Sequence, residues 1–570
     1  MELHTSSTSA RAPKPLIVLA DLTVLLDERT QDSHAAREAL VRFAELEKSP
    51  SFMHTYRITP LSLWNAASSG MAANEVLDSL ARFNRYTMAK EAEGQIRLLM
   101  ERFGRLRLDR DAEDQLVLSG DEGLIAAIRM EPSIQTHIAS NSSEAALGIR
   151  GDRRGAIKRE LARLGYPILD YAGYRSGELL ALTLRSRTRT GAPFVLRNYQ
   201  QEAIERFHQE GSVAGGSGVM VLPCGAGKTV IGIGAVARLQ CATLIVTSSL
   251  TSVRQWKSEL LDKTTLEAEA IGEYSSQAKQ VRPITIATYN MLATNGGTEG
   301  GYRHMALFNE RDWGLIIYDE VHMLPAPVFR LTAELQATRR LGLTATLIRE
   351  DGRETDVFSL IGPKRYELPW KELERQGQIA ELRCEEVRVP LPNGAEQNYW
   401  SSDARTKTRL AAENPNKAAV VRKLLERHKG KPALVIGAYL SQLKQLALSL
   451  DAPLLTGEVG HNERAQIYDA FRKGEHPVLV VSKIANFAVD LPDAAIAVQV
   501  SGTFGSRQEE AQRIGRLLRP KQGHNTAVFY TLVSEGTKEV DYALKRQLFM
   551  TEQGYRYDMT VARAEAEERL

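Results

Sequence analysis

From Phe194 onward, short continuous apolar runs alternate with stretches of helical periodicity. The runs "GVMVL", "TLIVTS", "ITIAT", "GLIIYD" and "RLGLTAT" form one series, and "ALVIGA", "VLVVSK", "IAVQVS" and "AVFYTLV" form a second. Such runs, bounded by turns, are strands buried on both faces, and their alternation with helices predicts parallel, doubly wound sheets. Two series predict two tandem α/β domains. Before Phe194 the pattern is different. Residues 1–15, rich in Ser, Thr, Ala and Pro, read as disordered. From about Pro15 to Leu108 the periodicity is mainly helical, with Asp32 and Ser33 capping a helix that runs through Lys48 and two more following Pro60 and Ala72.

The last two of these are joined by "ASSGMAA", which has a helix-turn-helix look. The exposed face of the second carries Asn74, Glu75 and Asp78 against Arg82 alone, which suits phosphate poorly and favours a structural helix pair. Residues 115–190 read as a small α/β module. Between Arg150 and Thr190 there are ten Lys or Arg and four Asp or Glu. The helix "AIKRELARLG" buries Ile157, Leu161 and Leu164, and the spacing places Lys158, Arg159 and Arg163 outward. With Tyr166, Tyr171 and Tyr174 interleaved, this basic face admits two readings: a grip on nucleic acid, or a solvated charged surface.

Composition narrows the class. The 570 residues are 43% hydrophobic and 25% charged, an ordinary soluble balance, and the net charge of +3 confines any nucleic-acid surface to a local patch. Cys224, Cys241 and Cys384 have no paired spacing, so no structural metal and no disulfide framework are expected. The segment "LIVLADLTVLL" is interrupted by Asp21 and reads as a strand or two, and no membrane span is expected, which points to a cytoplasmic protein.

Candidate chemistry begins at "VLPCGAGKT", where a strand runs into a turn and then a helix. Successive backbone N–H groups and a helix N-terminus hold phosphate, and glycines let the backbone approach it. Gly225 and Gly227 supply that freedom, Lys228 offers a mobile cation, and the Thr229 hydroxyl can ligate Mg²⁺. The usual pattern wants a glycine where Leu222 stands. The strand "WGLIIY" ends in "DEVH", 91 residues beyond Lys228. Asp319 is placed to hold Mg²⁺ and Glu320 to polarise the attacking water. His322 either links the site to the next element or is a structural histidine, and Thr344 and Thr346 of "GLTAT" can relay contacts toward the second domain. In that domain "SRQEEAQRIGRLLRP" puts Gln512, Arg516 and Arg519 on one helix face, with Arg513 between them, suited to a γ-phosphate across an interdomain cleft.

The stretches "LRNYQQEAI", "VLPCGAGKT", "QWKSEL", "YDEVHMLPA", "LGLTATLIREDGRE", "LIGPKRYELPWKEL", "NPNK" and "GSRQEEAQRIGRLLRPK" resemble the xeroderma pigmentosum group B (XPB) helicases of superfamily 2, in their bacterial branch. The resemblance covers residues 194–557 strongly and the N-terminal regions more weakly, and in this superfamily the glycine at position 222 is not required. It implies two RecA-like domains, with Gln200 as the adenine reader and Pro223, Cys224, Gly225, Ala226, Gly227, Lys228 and Thr229 as the ATP and Mg²⁺ cradle. It also implies that Arg349, Glu350 and Asp351 form an R-E-D element associated with duplex separation, and that Ser249, Thr288 and Ser482 meet the strand backbone. The basic module corresponds to a damage-recognition-like region. Ala485 and Asn486 depart from the family, whose eukaryotic members carry Gly and Asp there, and the thumb-like insertion "EQNYWSSDARTKTRL" is short.

These readings give a helical N-terminal domain (1–110), the module (111–190), a first RecA-like domain (191–365), a second (366–557) and a solvated tail (558–570). The expected function is an ATP-dependent 3′–5′ DNA helicase acting on single-stranded or duplex DNA, with a nuclease or repair partner possible. A duplex translocase and a nucleotide-gated scaffold recruiting a nuclease are the alternatives, and the residues alone leave RNA open.

Overall fold

The computed structural model of the chain describes residues 13–49, 52–139, 142, 146–223, 225–294, 304–325, 328, 332–333, 335–336, 338–346, 353–482, 494–502, 507–518 and 525–562, without the side chains of 305, 461, 462, 465, 507–509, 512 and 516. The expectation for residues 1–15 falls almost entirely outside them. The chain divides into two units, 1–104 and 105–570.

In the first unit, strands β1 (Leu16–Val18), β2 (Thr23–Asp27), β3 (Glu45–Lys48) and β4 (Met53–Arg57) form an antiparallel sheet of order β1-β2-β4-β3. Helices follow at Pro60–Ser68, Ala73–Phe83 and Lys90–Arg102. The first of these starts on a capping box, with the Thr59 hydroxyl accepting from Ser62 N–H and Pro60 in the first turn. The mainly helical reading of this region is therefore corrected to α+β, while the strand or two read in residues 16–26 are β1 and β2. The helix opening at Ser33 stops at Leu40, and Glu45–Lys48 becomes an edge strand with Leu46 turned inward, because pairing with β4 overrides a locally helical sequence.

The second unit begins with a sheet of order β7-β6-β5-β8, built from β5 (Leu106–Arg110), β6 (Leu116–Ser119), β7 (Ala146–Ile149) and β8 (Ile168–Asp170). Since β5 lies inside this sheet, a cut at 110 removes an interior strand, whereas a cut at 104 removes a whole unit. Deleting residues 1–104 is expected to leave a soluble ATPase, and deleting 1–110 to unravel the module. Limited proteolysis and ATPase assays on the two truncations decide this, and a collapsed 105–570 fragment contradicts it.

The helix Arg154–Arg163 packs its Ile157–Leu161 face on the module's sheet and its other side on the helix Glu354–Leu360. A Cβ at Gly155 would lie 2.3 Å from the Ala333 carbonyl oxygen. Lys158 is therefore not outward. It is buried, with Nζ 2.8 Å from Asp170 Oδ2 and 2.9 Å from Gln336 Oε1. Arg154 forks onto both oxygens of the same carboxylate, at 3.1 and 2.8 Å. Gln336 in turn donates to the Thr332 and Leu360 carbonyls, and Arg340 fills the same interior. A helix held between two layers buries two faces, which a single amphipathic stripe does not reveal.

The first large sheet is entirely parallel, in the order β11-β12-β10-β13-β14-β9-β15. Its strands are β9 (Ser217–Val221), β10 (Thr243–Thr247), β11 (Ile271–Tyr274), β12 (Ile284–Thr288), β13 (Leu315–Asp319), β14 (Arg339–Thr344) and β15 (Lys364–Glu367). The second, also parallel, has the order β18-β19-β17-β20-β21-β16-β22. It contains β16 (Glu381–Val389), β17 (Ala433–Gly437), β18 (Leu454–Leu455), β19 (Val478–Ser482), β20 (Ile496–Gln499), β21 (Thr526–Ser534) and β22 (Tyr557–Val561). Two expected boundaries shift. A division at 365/366 cuts β15, and residues 557–561 pair with β16 instead of belonging to a solvated tail.

Candidate functional site

The carboxyl ends of β9, β10, β12, β13 and β14 share one edge of the first sheet, the place where open parallel sheets bind ligands. Leu222 continues β9, donating its N–H to the Thr344 carbonyl and burying its side chain completely. A glycine there would forfeit core contacts, so the loop turns only after it. Gly225 (φ 84°) and Gly227 (φ 77°) take left-handed conformations, and the helix Lys228–Leu239 begins at once. A Cβ on Gly227 would lie 2.5 Å from Gln200 Nε2. The turn is braced from beneath at one atom. The Ala226 carbonyl accepts from Tyr199 OH at 2.8 Å and from Gln200 Nε2 at 3.2 Å. Gln200 Oε1 accepts from Arg197 N–H, so the amide expected to read adenine is bonded within the protein at both ends.

Lys228 Nζ lies 3.4 Å from the Leu222 carbonyl oxygen and 4.0 Å from Glu320 Oε1. Thr229 is half-buried in the same first turn. Across the edge, β13 ends at Asp319, and Glu320 adopts φ 52°, a left-handed conformation unusual for a side-chain-bearing residue. Glu320 Oε2 is buried and makes no hydrogen bond among the described residues, with His322 Nδ1 3.5 Å away. Burial, and next the neighbouring Glu320 charge, push the Asp319 carboxyl up to about 6. His322 is buried and its Nδ1 meets Thr344 Oγ1 at 2.7 Å, which joins the DEVH segment to β14. Thr344 Oγ1 also accepts from Thr346 N–H.

Three further side chains hold Asp319, and nothing in their local sequence signals it. Trp256 Nε1 donates to Asp319 Oδ2 at 2.9 Å, Thr247 Oγ1 donates to the same oxygen at 3.3 Å, and Tyr289 OH donates to the Asp319 carbonyl at 3.0 Å. Thr247 stands level with Thr288 across the β10–β12 pair, so these hydroxyls and the carboxylate line one row.

The nucleic-acid candidates separate. Ser249 is half-buried and caps the helix Leu250–Lys263, its Oγ accepting from Ser252 N–H. Thr288 is buried and its hydroxyl accepts from Met291 N–H, while Ser482 at the end of β19 is buried with its Oγ unpaired among the described residues. Both hydroxyls are buried, so what these two positions offer at the surface is main chain. Arg349, Glu350, Asp351, Cys224 and Arg519 lie outside the described residues. The helix Arg507–Leu517 is described, but not the side chains of Gln512 and Arg516. Arg513 is buried and donates to Gln499 on β20, so it faces its own sheet.

The model of the ERCC3/RAD25/XPB C-terminal helicase matches residues 373–569, that of the type III restriction enzyme res subunit matches 193–349, and a helicase conserved C-terminal domain model matches 16–141. A DNA 3′-5′ helicase XPB of Kineococcus radiotolerans is 50% identical over 95% of this chain and 96% of its own. The chain belongs to the XPB helicase family. A second XPB helicase, from Mycobacterium tuberculosis, is 48% identical over 95% of this chain and 97% of its own. The XPB subunit of general transcription and DNA repair factor IIH from Encephalitozoon cuniculi is 32% identical over 95% of this chain and 82% of its own. The XPB likeness therefore reaches through the N-terminal unit and the module as well as the two parallel sheets.

Proposed function

We propose that the protein is an ATP-dependent 3′–5′ DNA helicase that couples ATP hydrolysis to translocation along DNA and its unwinding, with a role in DNA repair. The observation that carries this is the convergence of a glycine turn, Lys228, Thr229, Asp319 and Glu320 on one sheet edge in a chain that holds a second parallel sheet. The residues fit Mg²⁺ and ATP. Glu320 Oε2 is an orphaned buried acceptor, burial and the Glu320 charge push the Asp319 carboxyl up in a way a bound cation would relieve, and Gly227 leaves no room for a side chain between loop and Gln200.

Lys228 serves the terminal phosphates, and Thr229 with Asp319 would hold Mg²⁺, which would supply charge compensation to the nucleotide's phosphates. Glu320 orients a water and accepts its proton. Gln512, Arg516 and Arg519 reach the γ-phosphate from the second domain, so that nucleotide state sets the separation of the two sheets. Gln200 reads adenine only by giving up one of its two bonds. Ser249 meets the phosphate backbone directly, Thr288 and Ser482 through their main chain, and Arg349, Glu350 and Asp351 act at the duplex junction. The site of action is the bacterial cytoplasm, at the nucleoid, and a nuclease or repair partner would work on the strands exposed. ATPase and strand displacement, measured together on single-stranded DNA, duplex DNA and RNA with 3′ or 5′ tails, test the reading. Displacement from a 5′ tail alone, or stimulation by RNA alone, overturns it. ATPase stimulated by duplex DNA without displacement replaces it with a duplex translocase.

The module's helix contributes little to the DNA grip. With Lys158 internal, its basic face is Arg159 and Arg163, and both approach Glu160, at 3.9 and 3.1 Å. Reversing both arginines to Glu is expected to leave the slope of log affinity against log salt unchanged for duplex DNA. A slope shallower by about 0.9 per lost contact would restore this helix as a binding face.

A further inference from the structure

Trp256 sits where three functional parts meet. Its ring is buried and lies against the helix that follows the phosphate turn: a Cβ at Gly232 would come within 2.5 Å of the ring's Cη2. Its indole N–H donates to Asp319 Oδ2 at 2.9 Å. Its own helix, Leu250–Lys263, starts at Ser249, seven residues or about 10 Å away along the axis. A tryptophan that only filled volume would satisfy its N–H on any nearby carbonyl. Here the N–H ends on the carboxylate assigned to the metal. Thr247 uses the same oxygen, and among the described residues Oδ1 receives no hydrogen bond, so the two donors fix which oxygen is left for a cation or its water.

We infer that Trp256 is a positioning residue that couples DNA at the Ser249 end of its helix to the metal-holding orientation of Asp319. The inference rests on the helicase reading of both ends. A rigid helix pressed by a phosphate at its N-terminus shifts as a body, and Trp256 is the side chain that carries the shift to the carboxylate. Gly232 lets the ring sit directly on the turn's helix, so the displacement is not absorbed by an intervening side chain.

The test replaces Trp256 with benzothienylalanine, which keeps the bicyclic ring and loses the N–H. Trp256→Phe is the second variant, with folding checked by thermal melting. Two readouts are taken: binding of a fluorescent ATP analogue across a Mg²⁺ titration, and the ratio of DNA-stimulated to basal ATPase. The isostere is expected to raise half-saturating Mg²⁺ about 10-fold or more, as loss of an outer partner of a metal ligand does, and to lower the stimulation ratio when stimulated and basal hydrolysis are both measured at saturating Mg²⁺. Parent-like values for both quantities in the isostere overturn the inference and leave Trp256 as packing. Should the parent show no DNA stimulation, the helicase reading fails instead, and the Mg²⁺ dependence of nucleotide binding still decides whether Trp256 positions Asp319.

Discussion

Glu320→Gln will bind ATP as the parent does and hydrolyse it about 10²- to 10⁴-fold more slowly, the usual contribution of a positioned general base. The amide is nearly isosteric, so the left-handed turn at Glu320 and the contacts of Asp319 stay as they are, but it cannot take the water's proton. Lys228→Ala acts at the other end of the same site, 4.0 Å from Glu320 Oε1 in the parent, and removes the cation that the phosphates need. It is expected to lose nucleotide-dependent turnover altogether while keeping the fold, because Tyr199 and Gln200 brace the turn at the Ala226 carbonyl independently of Lys228. Equilibrium binding of a fluorescent ATP analogue beside steady-state ATPase separates the two variants. Unchanged turnover in Glu320→Gln would falsify its role as the water-activating group. Full activity in Lys228→Ala would move the phosphate site elsewhere.

The centres of the two parallel sheets were legible because strands buried on both faces must be apolar throughout, and all nine such runs coincide with strands to within about two residues at either end. The sheet margins were not. β15 reads "KRYE" and β22 "YDMTV", and neither sequence carries a buried-strand pattern, since edges see solvent. In the N-terminal unit the stretch after Ser33 is rich in helix formers, and only its partner β4 shows that Glu45–Lys48 is extended. A one-sequence reading has no access to that pairing.

The chemistry followed the same division. Glycine, lysine and threonine at fixed spacing reveal a phosphate turn because its backbone geometry demands them locally. Trp256 and Tyr199 do not announce themselves, since their importance lies in what they reach: a carboxylate 63 residues on, and a carbonyl 27 residues on. Helical spacing also misplaced Lys158, because periodicity reports one buried stripe and is silent about a second layer. Thr288 shows the converse: the resemblance supplied its place, and only the fold shows that its hydroxyl caps the turn that follows by accepting from Met291 N–H.

Asp170→Asn is expected to be the most destabilising single change in the module. The carboxylate accepts both arms of Arg154 and the ammonium of Lys158, deep between the module's sheet and the first motor sheet. Burial alone would raise the Asp170 carboxyl, but the Lys158 and Arg154 charges outweigh it and hold it well below the ordinary carboxylate range. Burial, opposed by Asp170, pushes Lys158 down to about 8. The amide leaves two cations facing each other without an anion, and breaking a buried pair in this way costs about 3–5 kcal/mol. The sign with pH follows from the depressed carboxyl. Its stabilisation is complete above the ordinary carboxylate range, near 4, and is lost as pH falls toward the lower folded value. The gap between parent and variant therefore closes in acid, and it narrows again as pH rises through about 8, where Lys158 gives up its proton. Adding Lys158→Met removes one stranded cation and restores part of the loss, which a defect of simple packing would not show. Hydrogen exchange of the helix Arg154–Arg163 measures the local opening free energy directly, so the other domains do not blur the result. Protection equal to the parent's at pH 7 would mean that the module is held to the motor by its apolar contacts alone.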